Sequence, residues 1–191
     1  MKRLIGITGG IGTGKSTVAQ YLQAKYGWPL WDADVYAREA VAPGSPILTE
    51  IAHHYGTGII LPNGHLDRVR LGEIIFSHPA EKKWLESQIH PYVRDRFEQQ
   101  IRALDPEGTA MLAIPLLFEA QMTDLVTEIW VVSCDRDTQL HRISHRDHLT
   151  IPQAELRIDS QMPLADKIAH ADITIDNSST LEHLYQQIDR L

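Results

Sequence analysis

Gly9-Gly10-Ile11-Gly12-Thr13-Gly14-Lys15-Ser16-Thr17 decides how this 191-residue chain is read. Gly9, Gly14, Lys15 and Ser16 satisfy the spacing G-x-x-x-x-G-K-[ST]. The residue types follow from what a phosphate needs. Glycines permit positive φ and let several backbone N–H groups close around an anion with no Cβ in the way. A helix that starts directly after them points its positive end at the same anion. Lys15 then neutralises the outer phosphates, and the Ser16 hydroxyl is placed to ligate Mg²⁺. The alternative is a glycine-rich turn that binds nothing; the complete motif in its strand–helix context argues against it.

Upstream, Arg3–Thr8 is a short, mostly apolar run with isoleucines, which suits a buried parallel strand. Downstream, Ser16–Tyr26 carries Val18, Ala19, Leu22 and Tyr26 near helical spacing and stops at Gly27. Further strands are predicted at Trp28–Trp31, Ala110–Ile114, Glu128–Ser133 and Asp172–Asp176. Ser179-Thr180-Leu181-Glu182 has capping-box spacing and opens a C-terminal helix to about Arg190. Strand alternating with helix, with no neighbouring strands joined by a tight turn, predicts an α/β fold built on a parallel sheet. Residues 35–108 differ. Turn signals at Pro43-Gly44-Ser45-Pro46, Pro62-Asn63-Gly64 and Asp105-Pro106-Glu107-Gly108 punctuate helical patterns at about 34–42, 46–56, 68–77 and 80–104. We read 35–108 as a helical insertion between the second and third strands of a single unit, with 1–34 and 109–191 as the nucleotide core.

Composition narrows the function classes. Hydrophobic residues make up 43% and charged residues 23%, which excludes global disorder. No apolar run approaches the roughly 20 residues of a membrane helix. Met1–Ile7 has the charged start of a signal peptide, but its apolar stretch breaks at Gly9-Gly10. Cys134 is the only cysteine, so an intrachain disulfide and a cysteine-rich zinc site are excluded and the cytoplasm is the expected compartment. A formal charge of −7 argues against a nucleic-acid partner, though not against an anionic small molecule in a locally basic pocket. Twelve of the 18 basic residues are Arg, the side chain best shaped for phosphate. A GTPase would be expected to carry Asn-Lys-x-Asp, and the chain has none.

Trp31-Asp32-Ala33-Asp34-Val35 places two carboxylates at the end of the second predicted strand, the edge at which parallel sheets bind ligands. Alternation by two sends both to one side while the chain is extended. One carboxylate is suited to align an attacking hydroxyl or take its proton, and the other to hold Mg²⁺-bound water. Helix capping is the competing explanation.

Several stretches occur in the order and at roughly the spacing of a known family. They are Thr8–Thr17, Asp32-Ala33-Asp34, His90-Pro91, Pro115-Leu116-Leu117-Phe118-Glu119, Arg146-Asp147, Arg157 with Gln161, and Asp176-Asn177. The chain resembles the dephospho-coenzyme A kinases over essentially its whole length. Thr13 stands where Ser is common, and the chain ends soon after its last helix, where many relatives run longer. The resemblance implies a P-loop kinase core with a five-stranded parallel sheet, a helical acceptor-binding insertion, and a lid at about 141–162. It implies ATP and Mg²⁺ as cofactors and dephospho-coenzyme A as the small-molecule acceptor. ATP is expected on Gly10, Ile11, Gly12, Thr13, Gly14, Lys15, Ser16 and Thr17, with Asn177 near adenine. Asp34 matches the family's candidate base and Asp32 its neighbour near the metal. Arg142 and Arg146 are directed at phosphates, and Arg157 belongs to the substrate set.

Weaker constellations stay open at this stage. Pro91 marks a kink or a helix start, and His90 is a candidate for the acceptor pocket. Glu119 follows a strand, where it would organise Mg²⁺, contact the acceptor, or cap a helix; Asp135 competes for the metal role. Arg142 and Arg146, four apart, share a helix face and repel unless an anion lies between them. That favours a phosphate-facing role over a solvated face. His141, His145 and His148 read as a surface cluster rather than zinc ligands. His53-His54 and Cys134 are given no chemistry, and Trp28 and Trp31 are expected to pack on the sheet. The rivals to the family reading are another nucleoside or nucleotide kinase and a nucleotide-sensing binding protein. The sequence carries no signal for an oligomeric state.

Overall fold

The apolar run ahead of the glycines forms β1 (Arg3–Gly9), buried at every residue after the first. The computed structural model describes Met1–Leu191. Lys15–Tyr26 forms α1, ended by Gly27 in the left-handed region. The remaining strands are β2 (Leu30–Asp32), β3 (Thr109–Ala113), β4 (Glu128–Ser133) and β5 (Ile173–Asp176). They make one five-stranded sheet in the order β2-β3-β1-β4-β5, with every pairing parallel. β2 begins later than Trp28 because Pro29 has no N–H to give; its carbonyl accepts from Met111 N (2.8 Å) and the ladder starts at Leu30.

The chain divides into two compact units, Met1–Asp32 with Ala103–Leu191, and Ala33–Arg102. In the first, Ile5, Ile7, Met111, Trp130, Val132 and Ile175 of the sheet form one core with Val18 and Leu22 of α1 and with Leu184 and Ile188, and Trp28 packs against it. The second unit holds α2 (Ala33–Ala40), α3 (Pro46–Tyr55), α4 (Arg68–Ser77) and α5 (Pro79–Ala103, whose last residue is already in the first unit). Ser45 and Asp67 cap α3 and α4 through their side chains. Leu48, Ile51, Ile59, Leu66, Leu71 and Leu85 give this unit a core of its own. The first unit also contains α6 (Arg136–Asp147), α7 (Ile151–Asp159), α8 (Leu164–Ala169) and α9 (Leu181–Ile188). No helix is long and apolar enough to cross a membrane.

Two local expectations are corrected, one open alternative is decided, and the turn at Pro62-Asn63-Gly64 is borne out. Helix α2 starts at Ala33, so strand alternation does not carry from Asp32 to Asp34. Pro91 lies inside α5 and begins no new helix; Val93 and Phe97 beyond it are buried, and that burial carries the helix past the missing donor. Pro62-Asn63-Gly64 sits within a single antiparallel bridge, Ile60 to Leu66. The cap of α9 is Thr180 rather than Ser179, accepting from His183 N (3.3 Å), so Glu182 closes no capping box.

Candidate active site

β1 delivers Gly9 level with Val132 of β4, at the carboxyl edge of the sheet. The loop that follows is braced from within and from β5. Thr13, fully buried, donates its hydroxyl to Gly10 O (2.9 Å). Asn177, one residue past β5, donates Nδ2 to Thr13 O (2.8 Å). Gly14 has φ +92°, and a Cβ there would collide with that same Asn177 amide, so both backbone and space demand glycine. Gly14 is also the N-cap of α1 and offers no side chain to its first turn. Thr17 N donates to Gly14 O (3.0 Å), whereas the Lys15 and Ser16 N–H groups ahead of it have no intrahelical acceptor. Lys15 Nζ lies back across the loop, donating to Gly10 O (2.8 Å) and Gly9 O (3.1 Å).

Helix α6 supplies the opposite wall. Its N-cap is Asp135, whose carboxylate accepts from Thr138 N and Thr138 Oγ1, both at 2.7 Å. Those bonds hold its pKa below the usual carboxylate range. Asp135 is thus the cap of α6. A cavity of about 780 Å³ brings Gly12, Gly14, Lys15, Ser16 and Thr17 against Arg142, Arg146 and Asn177. Arg142 Nη2 donates to Asn177 O (3.0 Å). Arg142 Nη1 and Asn177 Oδ1 are buried with no partner. A guanidinium N–H and an amide oxygen left unpaired beside a phosphate loop fit a polar, anionic ligand. The amide nitrogen of Asn177, expected near adenine, is committed to the loop.

Arg146 forms a bidentate pair with Asp147 (2.7 and 2.9 Å), and Asp147 also receives Arg157 Nη1 (3.3 Å). The Arg146 hydrogen bond holds the Asp147 carboxyl low, and the Asp147 bond raises Arg146. A neighbouring carboxylate therefore orients Arg146. His141 and His145 are exposed and also line the cavity, with ring centroids 5.0 Å apart. No group of three or more His, Cys, Asp or Glu is arranged for a metal ion.

Glu119 and Ile11 have bonding partners that the sequence did not indicate. Glu119 accepts from Lys167 Nζ (2.8 Å) and Met162 N (3.0 Å), and Lys167, fully buried, also donates to Pro115 O (3.1 Å). Burial raises the Glu119 pKa, but the Lys167 hydrogen bond and the backbone N–H groups outweigh it, so the carboxyl stays below its ordinary range. Glu119 thus has a structural task, holding Lys167 and the Met162 peptide. Ile11 was counted among the ATP contacts, yet its N–H donates to Gln161 Oε1 (2.8 Å) and its carbonyl accepts from Gln139 Nε2 (2.6 Å). Burial pushes the Cys134 thiol up, as for an inert cysteine. Asp32 ends β2 in the first unit; Asp34, exposed in the first turn of α2, and His90, half-buried on α5, belong to the second. Gln139 was missed entirely. The available signal was helical spacing, since 139, 142, 143 and 146 run along one face of α6.

The family model described as dephospho-CoA kinase matches residues 3–183. A dephospho-CoA kinase from Trichormus variabilis is 56% identical over 188 residues, covering 98% of this chain and 95% of the relative. One from Synechocystis sp. is 56% identical over 187 residues, covering 98% and 93%. Among solved structures, a dephospho-CoA kinase from Campylobacter jejuni aligns with TM-score 0.73 at 28% identity, covering 100% of this chain and 95% of the other. A shikimate kinase from Acinetobacter baumannii, at TM-score 0.54 and 18% identity, covering 100% of this chain and 92% of the other, shares the fold.

Proposed function

The chain belongs to the dephospho-CoA kinase family, and we infer that it transfers the γ-phosphoryl group of ATP to the ribose 3′-hydroxyl of dephospho-coenzyme A. The products are coenzyme A and ADP, in the last step of coenzyme A synthesis. The observation that carries this reading is the single cavity in which the phosphate loop and Lys15 meet Arg142 and Arg146. In the reaction the acceptor oxygen bonds to the γ-phosphorus, the bond to the β–γ bridging oxygen breaks, and the hydroxyl proton leaves. The transition state is loose, so positioning and charge stabilisation do most of the work. Loop and first-turn N–H groups with Lys15 hold the phosphates, and Arg142 and Arg146 stabilise the charge that develops.

Asp34 is assigned to align the acceptor hydroxyl and take its proton. It stands in the first turn of α2. Mg²⁺ would be held by the Ser16 hydroxyl, exposed in the first turn of α1, by ATP phosphates, and through water by Asp32. A sparse protein set of this kind fits Mg²⁺, which keeps much of its water. Bound there, the ion would neutralise charge on the phosphates. His90 and Arg157 remain assigned to the acceptor, and the helical insertion at 35–108, most of which lies in the compact unit Ala33–Arg102, to its binding. The single, buried cysteine suits a reducing cytoplasm.

The test is ADP release from ATP with and without dephospho-coenzyme A. Acceptor-dependent release, abolished by Lys15→Ala in a folded protein, is the expected result. Release that answers only to a different nucleoside or nucleotide points to another kinase. Slow release indifferent to any acceptor points to a nucleotide sensor.

A further inference from the structure

Both backbone polar groups of Ile11 are held by side-chain amides from outside the loop. Gln161 Oε1 accepts its N–H at 2.8 Å, and Gln139 Nε2 donates to its carbonyl at 2.6 Å. Gln139 is buried on α6, three residues before Arg142. Gly10 records how closely it approaches. The φ of Gly10 does not call for glycine, yet a Cβ there would meet Gln139 Nε2 at 2.6 Å. Gln161 is fixed in turn, because the next residue, Met162, donates its N–H to Glu119, which is paired with buried Lys167. A continuous set of bonds thus runs from Lys167 through Glu119 and the segment after α7 to the Ile11 peptide, and on to α6.

We propose that Gln139 and Gln161 are positioning residues for ATP. They fix the Ile11 peptide, and with it the curvature of the loop whose other N–H groups take the phosphates. They also keep Arg142 and Arg146 of α6 in register with that loop. Amides suit the task because one must donate and the other accept. With either one removed, a backbone polar group of Ile11 loses its partner, and the loop relaxes to find another. The effect falls on ATP and not on the acceptor. This inference rests on reading the loop as the ATP site.

The test measures kcat and both KM values in wild type, Gln161→Glu, Gln161→Leu, Gln139→Glu and Gln139→Met, together with amide exchange at Ile11. Gln161→Glu keeps an acceptor for the Ile11 N–H, whereas Gln139→Glu keeps the shape but cannot donate when ionised. Both put the same charge beside the same peptide, so general repulsion of ATP is common to the two. We expect KM for ATP to be higher in Gln139→Glu than in Gln161→Glu by about ten-fold, equivalent to ~1.4 kcal/mol. KM for dephospho-coenzyme A stays at the wild-type value in each. Gln139→Met keeps length and burial without a carboxylate, so it covers the case in which Gln139→Glu does not fold; it and Gln161→Leu also raise KM for ATP. Ile11 exchange accelerates in Gln161→Leu and not in Gln161→Glu. Wild-type KM for ATP in all variants, or equal rises for both substrates, overturns the proposal. If the wild type shows no acceptor-dependent turnover, the functional reading fails instead, and Ile11 exchange still decides whether the clamp exists.

Discussion

Asp32 and Asp34 stand two residues apart but in different elements, one closing β2 and the other in the first turn of α2. That separation gives them distinguishable chemistry. Asp34→Asn is nearly isosteric and keeps one acceptor oxygen, but it loses the charge and the ability to take a proton. General-base assistance is typically worth about 10²–10⁴-fold, and a loose transition state puts the expected loss of kcat near about 10²-fold. ATP affinity should change little. Asp32→Asn should instead be partly rescued by raising Mg²⁺. The measurement is kcat against Mg²⁺ for both variants at saturating substrates. Rescue of Asp34→Asn alone would reverse the two roles, and full activity in both would leave the pair as helix-start residues. The place of Lys15 and Ser16 at the end of the loop could be read in the sequence because it depends on short-range spacing. Gln139 could not, because what its amide meets is a loop peptide 128 positions away. The pairing of Glu119 was not legible for a related reason: an acid after a strand has the same local sequence whether it faces a metal or a buried lysine.

Helix α8 is held down by that lysine. Lys167 is fully buried, and Glu119 is the carboxylate opposite it. Removing one partner of a buried pair leaves an uncompensated charge and costs about 3–5 kcal/mol. Glu119→Gln, which can still accept a hydrogen bond, is expected near the lower end of that range at pH 7. Adding Lys167→Met to it should restore much of the loss, because no buried charge is then left alone. The pH dependence has a definite sign. The Glu119 carboxyl is held below its ordinary value in the folded protein, so the unfolded chain binds this proton first. Its contribution is complete above the unfolded value of about 4.3 and disappears as pH falls through the depressed folded value. The stability gap between wild type and Glu119→Gln, from urea unfolding at a series of pH values, should be constant near neutrality and narrow in acid. A gap independent of pH would mean that the charge on Glu119 is not what holds α8. Element boundaries were otherwise legible where a strong signal stood at the end, as with Gly27 after α1. They slipped where a proline or a cap shifted the register by a residue or two, as at Leu30 and Thr180.

At the scale of the chain, the parallel sheet was legible because its buried strands are nearly continuous apolar runs, and the helical interruption because three clusters of turn residues break it up. What residues 33–102 do was not legible, since a helical unit with its own core looks the same whether it binds a ligand or only packs. That core, around Ile51, Ile59 and Leu71, lets the unit respond to a ligand separately from the sheet. Binding to the native state slows exchange of the amides that must open to release the ligand. ATP with Mg²⁺ should therefore protect residues 9–17, 139–147 and the start of α9, with little change within 33–102. Dephospho-coenzyme A alone should protect segments within 33–102, with α5 around His90 among them, if this unit carries the acceptor. Hydrogen exchange read by mass spectrometry on wild type and on His90→Ala separates the two patterns. Loss of acceptor protection in His90→Ala with ATP protection intact would support the assignment of His90. Protection by dephospho-coenzyme A confined to the sheet unit would remove the acceptor role from residues 33–102 and leave the whole site to the edge of the sheet.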